Sequence, residues 1–62
     1  MPTELDRFDA AILRELAADG RLSATELGRR IGLSKSPTQS RLKKLEDQGV
    51  ILGYRAIFDP AK

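Results

Sequence analysis

Sixty-two residues with a net charge of +2, no cysteine and no histidine make one small domain that neither disulfides nor a cysteine- or histidine-bound metal can staple. A chain this short buries only about 60% of the surface its unfolded form exposes, and without histidine it lacks the commonest general base. No stretch looks like a secretory leader or approaches the roughly 20 apolar residues of a membrane helix, so the expectation is a soluble, intracellular protein with no membrane partner.

The first helix is expected from Leu5, Phe8, Ile12, Leu13 and Leu16, which recur at helical spacing among good helix formers and are assigned to the core. Asp6 is placed to cap its start, and Asp19-Gly20 to end it. In "LSATEL" Ser23 and Glu26 have the spacing of a capping box, with Leu22 and Leu27 as a hydrophobic staple, so a second helix begins here. Leu27 and Ile31 turn one face of it inward. Gly28 is costly inside a helix, which points to a close crossing at that position. Gly32 closes the helix.

A third helix must follow almost at once. Ser34 as its cap puts Pro37 in the first turn, whereas Ser36 as its cap puts Pro37 at the first position and pairs with Gln39; Ser34 is preferred. Thr38, Leu42 and Leu45 form one stripe, and Ser36, Ser40, Lys43 and Asp47 lie opposite, with Gln39 and Lys44 at the edges. The tail "VILGYRAIFDP" alternates like a β-strand, but a lone strand has no partner within so short a chain.

Charge is unevenly spread. Residues 1–20 sum to −3 and residues 21–44 to +6, an excess inside a folded region that suggests a polyanion as partner. Two short helices joined at Gly32, plugged by Leu33 and buttressed by a third, make a helix-turn-helix. Its second helix starts with a polar turn because that turn faces something other than the core. Short hydroxyls and an amide there suit base edges in a major groove, and the surrounding cations suit phosphates. Ser40 to Lys43 also fits S-x-x-K, a nucleophile motif, but its companion motifs are missing and the match is chance.

With "LDRFDAAIL", "DGR-S", "IGLS" and "RLKKLEDQGVILGY" in view, the chain resembles the N-terminal DNA-binding domain of the Lrp/AsnC family of bacterial and archaeal regulators over nearly its full length. The resemblance implies a cytoplasmic transcription factor, linked to amino-acid metabolism, that binds pseudo-palindromic duplex DNA as a homodimer or higher homo-oligomer. It also implies a C-terminal effector domain beyond residue 62 that holds the small-molecule site, so no small molecule is expected on this fragment. Many relatives carry proline where Lys35 stands, which puts the start of the recognition helix and the base contacts of its first turn in question.

The expectation is therefore a mainly α fold, a three-helix, winged-type helix-turn-helix over residues 1–49 with a short C-terminal β-strand over 50–62 as connector. The recognition helix is expected at Ser34 to Glu46. The DNA-binding candidates are Ser34, Lys35, Ser36, Thr38, Gln39, Ser40, Arg41, Lys43 and Lys44, with Arg29 and Arg30 from the preceding helix. Ser36, Gln39, Ser40 and Lys43 are assigned to bases, and Lys35, Arg41, Lys44, Arg29 and Arg30 to phosphates. Thr38 stands among these candidates although it also belongs to the inward stripe. No catalytic residue, cofactor or metal is expected. The alternative is a winged-helix-like module that binds an acidic protein or RNA.

Overall fold

Three helices, α1 (Arg7–Ala18), α2 (Ala24–Ile31) and α3 (Lys35–Asp47), form in the computed structural model, which describes residues 5–61. Asp6 caps α1 in a reciprocal box: the Asp9 N–H donates to the Asp6 carboxylate at 2.8 Å, and the Asp6 N–H donates to that of Asp9 at 3.4 Å. The helix ends at Asp19 in an extended conformation rather than through a left-handed glycine, since Gly20 keeps a negative φ. The Asp19 carboxylate then accepts from the Arg21 N–H at 3.0 Å and carries the chain into the link.

Ser23 caps α2 by accepting from the Glu26 N–H at 3.1 Å. The return half of the expected box is not made, because Glu26 turns its carboxylate to Arg29 and Arg30 instead. Gly32 takes φ +86°, a left-handed conformation that a side chain would strain, and its N–H and that of Leu33 both donate to the Gly28 carbonyl at 2.8 Å.

Ile12, Leu27 and Leu45, one from each helix, are wholly buried at the centre. Leu13, Leu16, Leu22, Ile31 and Leu42 pack around them. Leu5, assigned to the core from its spacing, is instead exposed at the edge of α1. After α3, Gly49 takes φ +75°, and the N–H groups of Val50 and Ile51 both donate to the Leu45 carbonyl, so these two side chains fold back onto the core.

Beyond Ile51 the expected strand does not form: among the described residues there is no β-structure. A strand needs a neighbour for its N–H and C=O groups, and three helices offer none. Leu52 and Ile57 are accordingly 94% and 97% exposed. Tyr54 reaches back, its hydroxyl donating to Glu46 on α3 at 2.8 Å. An apolar groove of about 340 Å³, lined by Leu13, Leu16, Val50, Ile51 and Tyr54, lies between α1 and this tail.

Candidate nucleic-acid interface

α3 crosses α2 at Gly28, where the glycine's missing side chain leaves room for the Leu33 and Ser34 carbonyls and for Thr38. Ser34 is the cap residue in extended conformation, as preferred from the sequence, but its side chain makes no capping hydrogen bond. Its carbonyl does the work, accepting from the Thr38 N–H at 3.3 Å and the Thr38 hydroxyl at 2.8 Å. With Pro37 lacking an N–H and that of Thr38 bound to Ser34, the N–H groups of Lys35 and Ser36 receive no side-chain cap.

Thr38 is thereby corrected as a DNA-binding candidate. It is wholly buried between α2 and α3, and its hydroxyl is spent on Ser34. Ser34, Lys35, Ser36, Gln39, Ser40 and Lys43 are exposed together on the outer side and edges of α3. Among the described residues Lys35 has no ion-pair partner, and the side chains of Ser36, Gln39 and Ser40 make no hydrogen bond. Lys43 has only an exposed i,i+4 pairing with Asp47, 3.4 Å long.

The cations of α2 are exposed but paired. Arg29 holds Glu26 through two bonds, at 3.1 and 2.7 Å, and Arg30 reaches Glu26 at 3.1 Å and Glu15 at 3.3 Å. The Arg29 and Arg30 bonds keep the Glu26 carboxyl below its usual range, and Glu26 and Glu15 in turn raise Arg30. Such pairs on a wet surface exchange readily with a phosphate.

Arg41 and Lys44 face the other way, toward α1. Arg41 Nη1 donates to Asp6 at 2.6 Å and to Asp9 at 3.2 Å, and Lys44 Nζ donates to Asp9 at 3.2 Å. The Arg41 guanidinium also lies 5.1 Å from the Phe8 ring centroid, as does that of Arg7. Arg41, assigned to phosphates from the sequence, is turned inward here: its charge is answered by two carboxylates, with Asp6 the larger cause of its raised pKa. Asp9, only 1% exposed, was missed by the sequence reading. The signal was there, because an aspartate falls on the inward stripe three residues before Ile12.

A short helix, a tight left-handed glycine turn and a second helix whose polar side stands clear of the core define a helix-turn-helix DNA-binding domain. The winged helix-turn-helix DNA-binding family matches residues 5–51. The chain is 54% identical over 59 residues to the proline dehydrogenase transcriptional activator of Rhizobium radiobacter, covering 95% of this chain and 38% of that protein. It is 51% identical over 57 residues to the leucine-responsive regulatory protein of Escherichia coli K12, covering 92% and 35%. Among solved structures, a Neisseria meningitidis transcriptional regulator in complex with L-methionine superimposes with a TM-score of 0.88 at 45% identity, over 94% of this chain and 38% of that one. An AsnC family regulator from Agrobacterium tumefaciens gives 0.86 at 40% identity, over 92% and 37%. The chain belongs to the winged helix-turn-helix DNA-binding family, and its homologues are Lrp/AsnC-type transcriptional regulators. It spans little more than a third of the length of these relatives, which are regulators and not enzymes.

Proposed function

We infer that α3 enters the major groove of duplex DNA with Ser36, Gln39, Ser40 and Lys43 toward base edges. Ser34, Lys35, Arg29 and Arg30 stand beside it and serve the phosphates. The observation that supports this reading is the joint exposure of Ser36 and Ser40 on the side of α3 opposite Thr38 and Leu45, with Gln39 exposed at its edge.

The finer reading is a cytoplasmic regulator that binds a two-fold symmetric site as a homodimer or larger assembly. Residues 1–49 form its DNA-binding domain, and residues 50–62 are its connector to an effector domain. A link to amino acids is supported by the names of the relatives, one leucine-responsive and one in complex with L-methionine.

The test is a competition assay on a labelled random-sequence duplex, challenged with unlabelled duplex, single-stranded RNA or polyglutamate. Displacement by duplex alone is the expected result. Equal displacement by RNA or polyglutamate would favour a module that meets an acidic partner of another kind.

A further inference from the structure

The seam between α1 and α3 holds a charged cluster beside the apolar core. Asp9 sits within it, nearly without solvent, and its two carboxylate oxygens hold different cations of the same helix: Oδ1 takes Arg41 and Oδ2 takes Lys44, both at 3.2 Å. Asp6 adds a second carboxylate to Arg41, and the Phe8 ring lies against that guanidinium. Among the described residues no buried polar side-chain atom in this cluster lacks a partner.

On the helical wheel Lys44 lies only about 40° from Ser40, so an untethered Lys44 would sweep the border of the outward face. Half-exposed, it reaches inward to Asp9 instead. Held this way, the charges of Lys44 and Arg41 are answered by Asp9 and Asp6 on the α1 side of α3.

We propose that Asp9 is a positioning residue of the DNA interface: it fixes the rotation of α3 about its axis and withholds Arg41 and Lys44 from phosphates, so that sequence-independent attraction stays low. This rests on the reading of α3 as a groove-binding helix. Each phosphate neutralised contributes close to one unit to the slope of log K against log salt. A chain that withholds two cations therefore binds random DNA more weakly than its charge count implies, and discriminates better.

The experiment measures salt slopes on random duplex for the 62-residue chain and for Lys44→Gln, Lys35→Gln and Asp9→Asn. Lys44→Gln, a mild change at a half-exposed site, is expected to leave the slope unchanged, whereas Lys35→Gln lowers it by about one unit. Asp9→Asn raises it by about one unit, an added loss of about fourfold in affinity between 50 and 200 mM salt. Because Asp9→Asn can also weaken the fold, a double-mutant cycle of Asp9→Asn and Lys44→Gln on the unfolding constant accompanies it, and non-additivity is expected. A slope that falls by one unit in Lys44→Gln, or an additive cycle, overturns the proposal. If Lys35→Gln also leaves the slope unchanged, the groove reading itself fails and takes the proposal with it.

Discussion

Gly28 and Thr38 touch across the closest approach of α2 and α3: a Cβ at Gly28 would lie 2.7 Å from Thr38 Oγ1 and 3.2 Å from the Ser34 carbonyl oxygen. The Leu33 carbonyl oxygen would be closer still, and a backbone atom in a tight turn has nowhere to go. Gly28→Ala would gain about 1 kcal/mol of helix propensity and lose more to the collision. The expected net loss is about 2 kcal/mol, read as a lower urea midpoint with an unchanged denaturant slope.

Thr38→Val keeps the shape of the side chain but removes the hydroxyl that donates to the Ser34 carbonyl. Stability should fall by about 1 kcal/mol, because that carbonyl retains only the longer bond from the Thr38 N–H. Sequence preference for duplex DNA should not move, since Thr38 is wholly buried. Both follow from one thermal melt and one binding series.

Acid should loosen the molecule through two carboxylates. Asp6 is held below its ordinary pKa first by the Asp9 N–H and then by Arg41, and Glu26 is held down by Arg29 and Arg30. A carboxyl whose folded pKa is depressed adds stability that is present above its unfolded pKa and is lost as pH falls through the folded value. Stability should thus decline below pH about 4, near the unfolded carboxylate values. Asp6→Asn keeps a good cap but not the charge, so with Glu26→Gln it should flatten the acid limb of a plot of melting temperature against pH.

Tyr54 offers an optical probe, being the only tyrosine in a chain without tryptophan. Burial and the Glu46 carboxylate raise its pKa from 10.0 to about 12. The neutral phenol is the form the fold favours, so its contribution is complete below the unfolded pKa and disappears as pH rises through the folded one. Phenolate absorbance should appear near pH 12, and Glu46→Gln should bring it partway back toward 10.0, with the burial effect remaining.

Local rules were legible in the sequence and distant partners were not. Ser23, Gly32, the Ser34 start and the close crossing at Gly28 each depend on residues a few places away, so spacing and stereochemistry were sufficient. The core trio Ile12, Leu27 and Leu45 came from helical periodicity in the same way. Arg41 and Lys44 were counted into the basic excess because sequence distance hides that Asp6 and Asp9 lie beside them. The same blindness applies to Thr38, whose place on the inward stripe was visible but whose Ser34 partner was not. Leu52 to Phe58 alternate as a strand should, yet alternation specifies only what one edge could offer. Without a second edge, the described part of the tail forms no strand.

The claim on which the functional account rests is that the outer face of α3 reads base sequence. The most direct measurement is selection of bound duplexes from a random pool by this chain and by its Gln39→Ala and Ser40→Ala variants. The account predicts an enriched motif for the parent chain that changes at particular base positions in each variant. A pool that stays unenriched, or a motif that both variants reproduce unaltered, would contradict it.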